Sequence, residues 1–429
     1  MKALLDIAAQ HRSGKAVGIA SICSAHPLVL DAALIHARDR GAPVLIEATS
    51  NQVNQFGGYT GMRPADFHAF VMDKADRIGL ARDQVLLGGD HLGPNAWQDE
   101  SAASALAKAD ALIDDYVAAG FRKIHLDCSM ACADDPPALP DAEVAARAAR
   151  LAAVAEQAWR RSGGEAPVYI VGTEVPVPGG AKEELDTLQV TRPEAMVATV
   201  EAHREAFAAH GLSEAWQRVV GLVVQPGVEF DHHDVVDFQP NKAHALSSAI
   251  EKFPGLIYEA HSTDYQTPEA LAALVRGHFA ILKVGPGVTY ALRETLWALA
   301  SIEDELLPAA QRSSLRHIVL DVMRAEPKYW SKYYTDADRL TLDLQYSLSD
   351  RVRYYWAHPR IRDACSTLLH NLGERSPTGA LPLALLSQYL PRQHEEIRAG
   401  RLANNAESIL RSGVTHVLRR YAHACTQSL

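Results

Sequence analysis

Eight short apolar runs, at 16–22, 42–47, 85–89, 123–126, 168–172, 219–224, 256–259 and 280–284, alternate along the chain with longer Ala- and Leu-rich segments of helical period. Those segments fall at 27–40, 63–78, 101–119, 141–162, 192–210, 241–252 and 268–276, and an eighth, GPGVTYALRETLWALASIEDELL, follows Val284. Strands that are each followed by a helix run parallel, because the helix carries the chain back to the edge from which the next strand starts. Eight such units at ordinary spacing predict an α/β fold, a (β/α)8 TIM barrel. Beyond Pro308 no convincing strand remains. Residues 309–429 read as a helical C-terminal extension, rich in Arg and Tyr, packed on a barrel formed by residues 1–308.

A chain of 429 residues, 48% of them hydrophobic, can bury a core of this size. Its formal net charge of −10 and the lack of a dense Lys/Arg cluster exclude a nucleic-acid partner, whose phosphates demand a basic face. An amphipathic N-terminal helix broken at Ser13-Gly14 is no signal peptide, and no later stretch is apolar enough to span a bilayer. A cytoplasmic protein is expected, acting on small molecules or other proteins, with homo-oligomerisation left open. The five cysteines are odd in number and scattered, which suits reduced thiols. Cys128 and Cys132 have the spacing of half a metal site, but no second pair completes it, and two incidental thiols are expected.

A barrel of this kind gathers its chemistry at the C-terminal ends of its strands, so residues far apart in sequence become neighbours there. The four longest loops without helical period, 48–61, 129–140, 175–186 and 226–239, all follow strand ends. In strand order, the polar residues at those ends are Glu47 with Ser50, Asn51 and Gln52, then Asp90 and His91, Asp127 and Ser129, Thr173 and Glu174, Gln225, Glu259 and His261 to Asp264, and Lys283. The pair Asp90-His91, inside VLLGGDHLGPN, is the most suggestive. His91, His261 and Glu174 together would suit a divalent metal, zinc by ligand type, with one position open for a substrate oxygen. Asp90 is then the candidate acid/base.

Glu47 and Asp127 are expected to cap a helix or pair with Arg or Lys, and His232-His233-Asp234 to be solvated loop polarity. A lysine at the end of a barrel strand could serve as a Schiff-base nucleophile if burial lowered its pKa. For Lys283 the preferred role is a point charge for an anion beside Gly285-Pro286-Gly287 at a helix start, with Ser262, Thr263 and Asp264 around a phosphate-sized pocket. There is no GxxxxGK[ST] loop, so a kinase has no motif to support it.

Six segments, GGDHLGPN (88–95), GTEVPVPGG (172–180), VVQPGVEF (223–230), YEAHSTDYQT (258–267), KVGPGVTYALRE (283–294) and YSLSDRVRYYW (346–356), resemble the GatZ/KbaZ-type subunit of class II D-tagatose-bisphosphate aldolase. Members of that family are also labelled in places as tagatose-6-phosphate kinases. The resemblance spans almost the whole chain. It implies a barrel of class II aldolase type, with Asp90 as catalytic acid, His91 and His261 as metal ligands, and Glu174 as a possible partner of Asp90 in acid/base work. Where the catalytic aldolases carry a third histidine on strand six, Gln225 stands here, and an amide oxygen is a weaker zinc ligand than imidazole. The resemblance therefore implies an accessory subunit that stabilises a catalytic tagatose-bisphosphate aldolase subunit. The alternative it implies is a metal-dependent epimerase or aldolase acting on a ketose or ketose phosphate in its own right.

Overall fold

The computed structural model describes residues 1–175, 188–374 and 380–426, so most of the loop expected at 175–186 lies outside the described residues. Eight strands close a parallel barrel: β1 (Ile19–Ile22), β2 (Val44–Thr49), β3 (Val85–Leu92), β4 (Lys123–Leu126), β5 (Val168–Gly172), β6 (Val219–Val223), β9 (Ile257–Ala260) and β10 (Phe279–Val284). Between β6 and β9 the chain adds a short antiparallel hairpin, β7 (Glu229–Phe230) with β8 (Val235–Val236). The helices of the barrel region are α1 (Lys2–Arg12), α2 (Pro27–Arg40), α3 (Pro64–Ile78), α4 (Ala102–Ala118), α5 (Asp141–Ser162), α6 (Pro193–Ala209), α7 (Ser213–Trp216), α8 (Pro240–Ala249), α9 (Pro268–Arg276) and α10 (Pro286–Leu306). The extension adds α11 (Leu315–Ala325), α12 (Leu340–Tyr346), α13 (Pro359–Glu374), α14 (Leu383–Tyr389), α15 (Pro391–Arg398) and α16 (Ala406–Thr426).

Local chemistry explains most of the boundaries. Proline opens α2, α3, α6, α8, α9 and α10, where its fixed φ and missing N–H cost nothing. Gly41 and Gly79 end α2 and α3 in the left-handed conformation that a side chain resists. Inside the barrel the strands alternate, and each inward position belongs to a layer. The lowest layer is apolar: Leu45, Leu86, Ile170, Val220, Ile257 and Ile281 pack on Met1, Leu4 and Ile7, so that α1 plugs the N-terminal end. Two residues further along the strands, the inward side chains are Glu47, Lys123, Glu259 and Lys283, all buried.

The ring of outer helices departs from the simple βα count. The helix α10 follows β10 as expected, but α16 packs against β1, α2 and α9, and α10 lies against α16. A helix of the extension thus covers the seam between β1 and the last strand. The physical reason is that α10 is buried over much of its circumference, with Leu292, Leu296, Leu299 and Ile302 but also Arg293 and Glu303 inside. It needs partners on more than one side. Gly413 allows the close approach: a Cβ there would sit 2.2 Å from Thr295 Oγ1 and 3.3 Å from the Ala291 carbonyl oxygen.

The hairpin turn also contacts the extension. His232 Nε2 meets the Tyr333 carbonyl at 3.0 Å, its own carbonyl accepts from Leu348 N–H at 2.9 Å, and His233 Nε2 lies 3.1 Å from Asp343. These contacts tie the extension to the barrel mouth and take His232 partly out of solvent, while His233 and Asp234 are exposed as expected.

Gly413→Ala should cost about 1–3 kcal/mol of unfolding free energy in urea titrations, the range for a close contact forced apart. Adding Thr295→Ala should recover most of it; a double variant no more stable than the single one would argue against this contact.

Candidate active site

The strand ends hold a continuous network of charge. Lys123 Nζ lies 2.6 Å from Glu47 Oε1 and 2.6 Å from Glu259 Oε2, with all three side chains fully buried. Lys283 Nζ adds contacts to Glu47 at 2.6 Å, Asp90 at 2.8 Å and Glu259 at 3.5 Å. Three carboxylates against two ammonium groups leave one negative charge in excess. Gly88 makes room for this network, since a Cβ there would meet Glu47 Cγ at 2.9 Å and Lys123 Cβ at 3.2 Å.

Burial alone would lower the Lys283 pKa, but Asp90, Glu259 and Glu47 outweigh it and hold the ammonium well above its ordinary value. A protonated amine is no Schiff-base nucleophile. Burial alone would likewise raise the Asp90 and Glu259 carboxyls. For Asp90 the opposing charges are His91 and Lys283, for Glu259 they are Lys123 and Lys283, and both groups stay well below the usual carboxylate range.

Above this network stand three imidazoles. The ring centroids of His91, His125 and His261 are 5.3, 5.0 and 5.2 Å apart, pair by pair. A carboxylate holds each ring by one nitrogen: His91 Nδ1 to Asp127 at 2.7 Å, His125 Nδ1 to Asp90 at 2.9 Å, and His261 Nε2 to Glu259 at 3.0 Å. The second nitrogen of His91, Nε2, lies 3.7 Å from Asp90, and His125 Nε2 is buried with no hydrogen-bond partner among the described residues. Asp90, His125, Glu259 and His261 bring one ligand atom each within 4.8 Å of one another, and His91, expected as a ligand, is not in that group. Imidazoles oriented by carboxylates are what a divalent metal site requires, so the residues fit such an ion.

Burial pushes His261 down to about 4, keeping it neutral, despite the carboxylate of Glu259. For His91 burial also acts downward, but Asp90 and Asp127 prevail and raise it. His91 takes φ 48° and Ser262, just after His261, φ 53°. Both are left-handed conformations uncommon outside glycine, and they aim the ends of β3 and β9.

One pocket at the mouth is lined by Asp90, His91, His261 and Lys283, together with Ser262, Asp264 and Gly285. Tyr59, from the loop after β2, and Arg353 and Tyr354, from the extension, complete its outer wall. Thr263 is not among its lining residues. Its hydroxyl donates to the Lys283 carbonyl at 2.5 Å and lies 3.2 Å from Tyr421 of α16. Asp264 sits on the start of α10, where its Oδ1 accepts from the N–H groups of Gly285 at 2.9 Å and Gly287 at 2.7 Å.

The structure does not bring Glu174 or Gln225 to the cluster. Glu174 is exposed and accepts from the Thr191 hydroxyl. Gln225 turns its amide oxygen onto its own loop, to the N–H groups of Gly227 at 2.8 Å and Val228 at 3.1 Å. The third imidazole comes instead from β4. His125 was legible in KIHLD, where Lys123, His125 and Asp127 alternate inward on a short strand, but a reading confined to strand ends passes over it. The cysteines are all free, and Cys128 and Cys132 are buried outside any metal-holding group found among the described residues.

A family model described as D-tagatose-1,6-bisphosphate aldolase subunit GatZ/KbaZ-like matches residues 4–426. The chain belongs to this family. A solved structure of a probable tagatose 6 phosphate kinase from Sinorhizobium meliloti 1021 is 50% identical, covers 95% of this chain and 100% of its own, and superposes with a TM-score of 0.87. Two aldolases are far more distant. The fructose-bisphosphate aldolase (Fba) of Campylobacter jejuni is 13% identical, covers 86% of this chain and 91% of its own, and has a TM-score of 0.43. The YdjI aldolase of Escherichia coli K12 is 12% identical, covers 82% and 92%, and has a TM-score of 0.41. Likeness at that level says nothing about activity. Among the described residues of this GatZ/KbaZ-like chain, no helix is long and apolar enough to cross a membrane.

Lys123→Met should cost about 3–5 kcal/mol in chemical denaturation, because it strands Glu47 and Glu259 as buried anions. Stability should also fall on acidification. His26, His36 and His261 are all held near 4, by burial first, so between about 6.5 and 4 the unfolded chain binds protons that the folded chain refuses. His91, raised, and Glu229 and Asp264, pushed by burial up to about 7 and about 6, work the other way, while His11, His68, His203 and His416, lowered by burial, add to the first set. The depressed carboxylates Asp90 and Glu259 add stability that is present above the ordinary carboxylate range and lost further down. Unfolding free energy should therefore be lower at pH 4 than at pH 7; a higher value at pH 4 would refute the assignment.

Proposed function

We propose that this chain holds a divalent cation, zinc by its donor set, and acts on a ketose phosphate by proton transfer next to the carbonyl, leading to epimerisation or carbon–carbon cleavage. One observation carries the reading: three imidazoles, each fixed by its own carboxylate, stand together beside Asp90. His125 and His261 with Glu259 would hold the ion, and His91 stands beside them. When bound, it supplies Lewis-acid polarisation of a sugar oxygen.

The chain's own residues do the rest. Asp90, ionised and hydrogen-bonded to His125, takes and returns the proton. Lys283, fixed between Glu47 and Asp90, keeps that carboxylate in place and offers positive charge where a hydroxyl loses its proton. Burying this many charges costs stability unless function repays it, and a purely scaffolding subunit would fold better with apolar side chains there. That favours a working site over a relic.

A second reading rests on the family description, which names a subunit: the chain supports a separate catalytic tagatose-bisphosphate aldolase subunit. In that case the same residues contribute to a shared assembly.

The two readings separate on the purified protein alone, supplied with zinc and offered ketohexose monophosphates and bisphosphates. Turnover that disappears with chelator supports the first. His125→Ala should then lose most of its bound metal by elemental analysis, and Asp90→Asn should lower kcat by roughly 10²–10⁴ with metal retained. If the pure protein holds no metal and turns over nothing, but raises the activity or lifetime of an added aldolase subunit, the accessory reading stands and the first fails.

A further inference from the structure

We propose that Arg353, delivered by the extension, is the phosphate receptor of this site; the inference rests on the reading of the pocket as a ketose-phosphate site. Two permanently charged cations line the pocket, Lys283 and Arg353. They differ in what surrounds them. Lys283 is neutralised by three carboxylates within 3.5 Å, in a network that already carries excess negative charge. A phosphate brought there would be repelled by the acids at least as strongly as it is attracted by the amine.

Arg353 has no carboxylate of the described residues in ion-pair contact. The carboxylate of Asp350 is occupied by Arg293 at 2.7 Å and the Thr289 hydroxyl at 2.6 Å. Asp264 gives its Oδ1 to the backbone of Gly285 and Gly287. The guanidinium bonds only neutral groups. Its Nη1 donates to the carbonyls of Ser349 and Asp350, and its Nη2 to the Tyr354 hydroxyl at 3.0 Å. Of its five N–H donors, Nε–H and one on Nη2 are left without a partner among the described residues. Those are the donors with which arginine grips an oxyanion side-on.

The other candidate for an anion, the start of α10, is filled by the protein's own Asp264. Tyr59 and Tyr354, with ring centroids 4.8 Å apart, flank the guanidinium with hydroxyl groups from both the barrel and the extension. The pocket is therefore polarised. Its inner end attracts a cation and its outer end a single phosphate, which places the reacting carbon of a ketose monophosphate inward and its phosphate at the extension.

Binding of inorganic phosphate to the full-length protein, followed by calorimetry and thermal shift, tests this without any turnover. The wild type should bind, and Arg353→Ala should weaken binding roughly tenfold to a hundredfold, with Arg353→Lys in between. Where the sugar is turned over, Arg353→Ala should raise KM for a ketohexose 6-phosphate by the same factor and KM for the free ketohexose by much less. If Arg353→Ala fails to fold, Arg353→Lys and Tyr354→Phe carry the same titration. A wild type that ignores phosphate, or folded Arg353 variants that bind it as tightly as the wild type, overturns the proposal. Phosphate binding through Arg353 without turnover of any sugar leaves it standing and removes the catalytic reading instead.

Discussion

The ammonium of Lys123, wedged between Glu47 and Glu259 with no access to water, is the constraint around which the barrel is arranged. Charges taken out of water cost several kcal/mol each unless their partners sit at contact distance, so none of the three can be moved alone. Gly88 lacks a side chain because the pair occupies that space. Below, the apolar layer and α1 keep water from reaching it through the floor. Above, Lys283 joins the same carboxylates to Asp90, and Asp90 joins His125. The acid at the pocket wall is thereby placed by an unbroken chain of charge contacts that starts in the middle of the barrel.

This network also divides labour between the two parts of the molecule. The barrel supplies a rigid inner wall whose groups are already paired and whose excess charge is negative. The extension supplies the outer wall, and there the guanidinium of Arg353 has only neutral partners. In the proposed reading, specificity and chemistry would come from different segments, which is how barrels of this architecture vary their substrates by changing what surrounds the strand ends.

Much of this was legible in the residues. Short apolar runs separated by helical segments give the eight strands, and all eight are found. Asp90, His91, His261 and Lys283 meet in one pocket because strand ends converge whatever their separation in sequence. Other features depend on information that the local pattern does not hold. His125 and Lys123 sit one and two inward positions back from Asp127, within a run short enough to pass as apolar. Gln225 occupies the position expected of a ligand, yet its amide satisfies two N–H groups of its own tight turn, a choice made by loop geometry. Thr263 looks like a pocket residue but is claimed by Tyr421, more than 150 positions away. Nothing in YSLSDRVRYYW by itself says that Arg353 faces the barrel mouth.

The contact between α16 and the barrel seam has a consequence for how the molecule comes to be folded. Gly18, at the entrance to β1, donates its N–H to the carbonyl of Cys425 at 2.9 Å, and Tyr421 donates to the carbonyl of Thr263 at 2.7 Å. The first and last strands therefore meet under a helix drawn from the far end of the chain. Loop-closure entropy has to be met before such distant contacts return anything. During synthesis the outer face of that seam stays uncovered until more than a hundred residues beyond the eighth strand have emerged, and that face is the part a chaperone would have to shield.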